Sequence, residues 1–291
     1  MRPPSQLRFA TERVFFESRR LRDTLRSLTS AGSRWDLNIH LESIDPTYLP
    51  LARRNWFVPN QEWLETADVP SLALVDLILF KTRHAEQTLR AHSLKGAFLG
   101  FTSEDRLTSS PKDFGRFLHV AGWNPYKGTR RLIDLWLSHP EWPTMTVVAQ
   151  GQNTASAANL AVMSRRLSET RLKVLQNECG VHLAPSEVEG FGHSIGEALS
   201  CGAILITSNA PPMNEVVGSS GAFLVEIESS EPMGHGTRYK VSSSSLEAAV
   251  ETVLRLTPEQ RRDRSRCARE AFEKGRSSFT RRLYDLLDSA W

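Results

Sequence analysis

The sequence predicts an α/β protein of two doubly wound domains with largely parallel sheets. Three observations carry this. The spacing of apolar residues switches repeatedly between a strand-like and a helix-like period. Runs such as LALVDLILF (72–80) are almost wholly apolar, as strands buried on both faces must be. A polar stretch, TSEDRLTSSPKDFGR (102–116), separates two halves that each alternate in this way.

In the first half QLRFA (6–10) reads as a strand, and Val14, Leu21, Leu25 and Leu28 fall on one helical stripe. WDLNIHLE (35–42) alternates partly, NWFVPN (55–60) is short and aromatic, and residues 72–80 form the buried strand. TRHAEQTLRAH (82–92) reads as helix and GAFLGF (96–101) as strand. After the linker, RFLHVAG (116–122) and MTVVAQ (145–150) are strands around a helix at GTRRLIDLWL (128–137). SETRLKVLQNEC (168–179) is helix with Leu172, Leu175 and Cys179 inward, and VHLAP (181–185) is strand. AILITS (203–208) and AFLVEI (222–227) follow as strands, and residues 245–291 are helical. The expected division is 1–110, 111–276 and a terminal segment, 277–291, whose Phe279, Leu283, Leu286 and Leu287 need an apolar surface.

Composition narrows the function. The 291 residues are 40% apolar and 24% charged, as in soluble globular proteins. No apolar run approaches the roughly 18–20 residues of a membrane span. The start, MRPPSQLRFATERVFF, has no signal-peptide core, so a cytoplasmic protein is expected. Cys179, Cys201 and Cys267 are odd in number and lack metal-ligand spacing, which suits reduced thiols. The net charge is only +3, but residues 17–26 and 261–276 are locally basic. Solvated helix faces are the plain reading; phosphates, nucleic acid or an anionic membrane surface, the last with a peripheral place at the inner membrane face, are the functional one.

The informative motif is PSEVEGFGHSIGEALSCGA (185–203). It begins where a strand should end at the carboxyl edge of the second sheet, where such sheets bind ligands. Gly190 and Gly192 let backbone approach a ligand, and the helix start behind them offers N–H groups to an anion. Gly202 suits the left-handed position after that helix. Glu189 and Glu197 would repel phosphate, so they fit better as acceptors for paired hydroxyls. Lys127, in the loop after Gly122 and Trp123, could meet a phosphate from the other side. Phosphate beside a polyol describes a nucleotide sugar. Plain alternatives exist for each: glutamate favours any helix N-terminus, and Lys-Gly is common in solvated turns. His40, at the end of NIH, is either a cleft-facing ligand group or a structural histidine.

The order HVAGWNPYKGTRRLID, LAPSEVEGFGHSIGEALSCGAILITS, APPMNEVVG resembles the donor-binding domain of the group 1 glycosyltransferases, with Glu189 and Glu197 meeting the E-x7-E pattern. The resemblance covers residues 116–230. It implies the GT-B fold, two Rossmann-like domains around a cleft, with the last helix returning to the first domain. It implies transfer of a sugar from a nucleoside-diphosphate sugar, mostly with retention, with no cofactor and no bound metal. Catalytic roles would fall on Lys127, Glu189 and His40. The donor would be held by Gly122, Trp123, Lys127, Glu189, Gly190, Phe191, Gly192, His193 and Glu197. Of these, Glu189 would take the sugar hydroxyls, Glu197 the ribose hydroxyls and Lys127 the diphosphate. The acceptor would be a glycan, a lipid-linked or a small molecule, with nucleic acid disfavoured. The alternatives are a sugar-nucleotide-binding protein without catalysis and a nucleic-acid-modifying transferase. Trp123 stands where many members of the family carry arginine, which would leave Arg130 or Lys81 to supply that cation.

Overall fold

The computed structural model describes residues 34–64, 66–90, 95–151 and 157–290. The strand expected at 6–10, the helical stripe of Val14 to Leu28 and the basic run 17–26 lie outside these residues. The chain forms two compact units. The first runs up to Leu99 and includes Met233–Gly236; the second holds Gly100–Pro232 and Thr237–Trp291.

In the first unit β1 (Trp35–Leu41), β2 (Ala52–Val58), β3 (Leu77–Phe80) and β4 (Gly96–Phe98) form a parallel sheet in chain order. The helix α1 (Arg83–Arg90) turns Ala85 and Leu89 onto it. Phe57, Leu72, Ile78, Phe80 and Leu89 make the core. The strand expected at 72–80 is halved. A 3₁₀ helix, Thr66–Leu74, occupies its first part, and β3 starts only after Asp76. The reason is polar: the Asp76 carboxylate accepts the Asn55 amide at 2.7 Å, at a place where a strand would offer backbone.

The second unit has strands β5 (Asp113–Gly122), β6 (Met145–Ala149), β7 (Leu160–Met163), β8 (Cys179–Ala184), β9 (Ile204–Ser208) and β10 (Phe223–Val225). Its helices are α2 (Thr129–Ser138), α3 (Glu169–Glu178), α4 (His193–Ser200), α5 (Met213–Val217), α6 (Ser243–Leu254) and α7 (Pro258–Asp288). The sheet order is β10-β9-β8-β5-β6-β7. Successive strand residues feed opposite faces, as the pleat requires. Phe117, Val147, Leu183 and Ile206 join Leu132, Trp136, Leu246 and Val250 of α2 and α6. Leu118 and Val148 meet Leu175 of α3, while Ala184 and Leu205 meet Ile195 and Leu199 of α4 and Phe272 of α7. Both faces are covered, which is why these strands read as continuous apolar runs. β7 and a hairpin of β11 (Ile227–Met233) and β12 (Gly236–Val241) escaped the sequence reading. The hairpin is mostly polar and half exposed, so it has no apolar period to detect. Cys179, expected on a helix, opens β8 instead and is buried, its thiol pushed up to about 11 by desolvation.

The polar stretch 102–116 is not a loose connector. The Arg106 amide donates to Ser200 Oγ at 3.0 Å, the Thr108 amide donates to Asn177 Oδ1 at 2.9 Å, and Asp105 accepts two bonds from Arg269 at 2.6 and 2.8 Å. Polarity that suggested solvent is spent on helices α3, α4 and α7. The chain divides between Leu99 and Gly100, where the sequence places the division at 110/111. Residues 277–291 fall in the second unit, and Phe279 packs edge-on against Phe101 at 5.6 Å. The basic run 261–276 is not simply a solvated face. Arg261 caps Leu254 O at 3.0 Å, Arg269 caps Ser200 O at 2.7 Å and Arg264 reaches Gly221 O. Cations suit carbonyl-rich helix ends.

Candidate functional site

β5 is the first strand of the second sheet and lies at its centre, with β6 on one side and β8 on the other. Chain direction across the sheet reverses there, so the loops after β5 and β8 open a crevice at the carboxyl edge. The two loops are joined directly: the Glu187 amide donates to Tyr126 O at 2.7 Å. Gly128, at φ 71°, ends the first loop and starts α2. A Cβ there would collide with the Pro185 carbonyl oxygen, so only glycine allows the loops this approach. The second loop is anchored from below by Thr207 Oγ1 on Ala184 O at 2.8 Å and Ser208 Oγ on Ser186 O at 2.6 Å.

The crevice gathers the expected donor residues of this unit. Lys127 Nζ donates to Glu189 Oε1, and a weaker bond at 3.4 Å reaches Ser194 Oγ in the first turn of α4. Both members of the pair are largely buried, at 12% and 8% side-chain exposure. An ammonium has three N–H groups, so these contacts leave capacity for an incoming oxyanion. Gly192 caps α4 at φ 100°, and no side chain caps that end. The first amides of such a helix have no preceding turn to bond to, which suits an anion. Phe191 is buried behind the loop against Phe101, with ring centroids at 5.4 Å. His193 also has a side-chain role: its Nδ1 meets Ser103 Oγ at 3.1 Å, and its ring packs edge-on to Phe101 and Phe191.

Gly122 ends β5 at φ 61°, and its carbonyl accepts the Gln150 amide at 2.8 Å. Trp123 is 77% exposed, and Arg130 pairs with Asp134 along its own helix at 2.9–3.0 Å. Gly202 takes the left-handed turn expected after α4, with Gly202 and Ala203 amides returning to Leu199 O and Ala198 O. His40 belongs to the first unit. It is buried there, with Nε2 at 3.1 Å from Asn38 and 3.2 Å from Asn55. Lys81 is also in the first unit, donates to Asn60 Oδ1, and has its pKa lowered by burial.

Three neighbours of the expected site residues were missed by sequence reasoning: Ser194, Arg106 and Gln176. Gln176 Nε2 donates to Glu197 Oε2 at 2.8 Å, and Arg106 Nε lies 3.3 Å from Glu197 Oε1. Burial works against the charge on Arg106, but Glu197, Glu169 and Glu104 outweigh it and raise its pKa. Only Ser194, at the helix start, had a signal in the motif.

Beneath the site, His119 is fully buried. Its Nδ1–H donates to Leu183 O at 2.8 Å, so Nε2 accepts from the Thr129 hydroxyl at 2.8 Å. It ties β5 to the end of β8 and to the first turn of α2. Desolvation first, and the Lys127 charge after it, depress its pKa to about 4.

The sequence model of "Glycosyl transferases group 1" matches residues 104–271, more than half of the chain. No curated protein sequence matches. Among solved structures, a glycosyltransferase from Rickettsia africae aligns with all of this chain and 84% of its own, at TM-score 0.71 and 11% identity. Sucrose-phosphate synthase from Thermosynechococcus elongatus aligns with all of this chain and 82% of its own, at TM-score 0.68 and 15% identity. The pneumococcal O-GlcNAc transferase GtfA in complex with UDP and GlcNAc aligns with 90% of this chain, at TM-score 0.59 and 16% identity. The chain spans only 60% of the length of GtfA. The fold is GT-B, and the chain belongs to the group 1 glycosyltransferase family.

Proposed function

We propose that the protein transfers a sugar from a nucleoside-diphosphate sugar to an acceptor, with retention and without a bound metal or other cofactor. The observation that carries this is Lys127, paired with Glu189 and within reach of Ser194 at the uncapped start of α4. A cation, a helix start without a side-chain cap and a carboxylate in one crevice match a diphosphate beside a polyol. In this reading Lys127 and the amides of Phe191, Gly192 and His193 take the diphosphate, and Gly122, Trp123 and Gly190 line its path. Glu189 exchanges its bond to Lys127 for sugar hydroxyls, which leaves Lys127 to meet charge growing on the leaving diphosphate. Glu197 accepts the ribose hydroxyls. His40 is the first unit's candidate for contact with sugar or acceptor. The acceptor is a glycan, a lipid-linked or a small molecule. The GtfA complex with UDP and GlcNAc, in the same fold, supports a nucleotide-sugar donor.

The test is thermal shift with UDP, GDP and ADP and their sugars, followed by release of nucleoside diphosphate in EDTA. A ligand at 100 times its Kd should add about 2.7 kcal/mol of stability. No shift with any of them overturns the reading. Binding without turnover would favour a sugar-nucleotide-binding protein.

A further inference from the structure

Glu197 is held from two sides. Gln176 Nε2 donates to one carboxylate oxygen at 2.8 Å, and Arg106 Nε lies 3.3 Å from the other. Both holders are themselves fixed. The remaining Arg106 nitrogens face Glu169 at 2.9 Å and Glu104 at 3.3 Å, both exposed carboxylates. Its amide donates to Ser200 Oγ, and its carbonyl accepts from Asn177 Nδ2 at 2.7 Å. Gln176 is 1% exposed, and its carbonyl accepts from the His182 ring at 3.0 Å. A glutamate on a helix normally samples several rotamers, and this one cannot without leaving Arg106 in the protein interior unpaired by it.

Two features argue that this clamp serves more than packing. Arg106 Nε and Gln176 Oε1 are buried and, among the described residues, make no hydrogen bond. Native interiors avoid such groups, so holding these side chains at Glu197 works against stability. Yet Glu197 keeps 17% of its side chain exposed. A carboxylate has about four lone-pair sites. Gln176 takes one of these by a hydrogen bond, Arg106 holds the other oxygen by charge alone, and the rest are left for donors arriving from solvent, the pattern that a vicinal diol matches.

We propose that Arg106 and Gln176 are positioning residues for nucleoside recognition, fixing Glu197 so that its remaining lone pairs accept the two ribose hydroxyls. The proposal rests on the donor reading above. It explains why the polar stretch before β5 binds along α4 instead of hanging free. It also adds residues on α3 and on that stretch, outside the E-x7-E segment, to ribose selection. Because the clamp acts through a carboxylate that contacts only the ribose, its loss should leave diphosphate recognition by Lys127 and the α4 amides in place.

The experiment is calorimetry on the full chain with whichever of UDP, GDP or ADP binds, and with its 2′-deoxy analogue. Wild type should prefer the ribonucleotide by roughly tenfold or more, the expected worth of a hydroxyl bonded to a carboxylate. Arg106→Gln and Gln176→Met should each bring the preference below about threefold while binding of the deoxy analogue is retained. Arg106→Lys, which keeps the charge without the fork, should recover part of the preference. Gln176→Met removes one orphaned acceptor and keeps volume, so it carries the test if Arg106→Gln fails to fold. Variants that weaken both nucleotides equally and keep the wild-type preference overturn the proposal, since that is the result of a merely structural clamp. Wild type binding ribo- and deoxyribonucleotide equally overturns it too, while the donor reading stands. Failure of all three nucleoside diphosphates to bind wild type brings down the donor reading and this proposal together.

Discussion

Acid should loosen the second unit through two buried histidines. His119 and His182 sit on adjacent strands, β5 and β8, and desolvation depresses their pKa values from 6.5 to about 4 and about 3. In the unfolded chain both would titrate near 6.5. A histidine whose folded pKa is depressed contributes no penalty above the unfolded value. Below it the unfolded state takes up a proton that the folded state refuses, so stability falls as pH drops from 6.5 toward 4. At pH 5 the difference amounts to about 2 kcal/mol for each histidine. That is a large fraction of a typical domain's stability of roughly 5–15 kcal/mol. For His119 the loss is also local. A protonated ring cannot accept from Thr129, so the start of α2 comes loose beside the Lys127 loop. Hydrogen exchange of peptides spanning 113–122 and 179–184, corrected for intrinsic rates, reads this between pH 7 and 5. Wild type should lose protection steeply, and His119→Gln should lose about 2 kcal/mol less over the same range. Equal losses in both proteins would refute the argument, because His119 would then not be the group that titrates.

Four further outcomes follow from the site. Gly128→Ala, at φ 71° and against the Pro185 carbonyl, should destabilise by about 3 kcal/mol and lower the denaturation midpoint; an unchanged midpoint would remove the requirement for close loop approach. Lys127→Ala should slow turnover by roughly 100-fold with a much smaller loss of donor affinity, read from a kcat and KM split. Glu197→Ala should weaken nucleoside-diphosphate binding by tenfold or more in calorimetry while the fold survives. Removing residues 277–291 should abolish transfer with donor affinity nearly intact if that segment tethers the first domain; Phe279→Ala, which loosens the packing on Phe101, provides the comparison.

Much of the second unit was legible because its signals are local. β5, β6, β8 and β9 are buried on both faces, so their apolar runs stand out without any neighbour being known. Gly192, Gly202 and the α4 motif announce themselves because left-handed turns and helix caps are fixed by a few adjacent residues. Where side chains replaced backbone, the same reasoning failed. Asp76 cut a strand short by accepting the Asn55 amide, and nothing in LALVDLILF reveals that partner. Cys179 looked like the last inward residue of a helix because its burial is real and only its backbone pairing differs.

By itself the sequence determined the alternation of strands and helices, the family, and the segment holding Lys127, Glu189 and Glu197. Those depend on period, turn chemistry and short-range spacing within each motif, the Lys127 loop and the Glu189–Glu197 stretch separately, which are properties of the chain. Tertiary structure alone decided who holds the chemistry in place. Arg106 reaches Glu197 across 91 positions, Ser103 reaches His193 across 90, and His119 reaches Leu183 across 64. Each such contact is worth making only after the sheet order has brought β8 beside β5 and α4 against the polar stretch. A polar residue carries the same local signal whether it faces water or a buried carboxylate, so only the fold distinguishes the two.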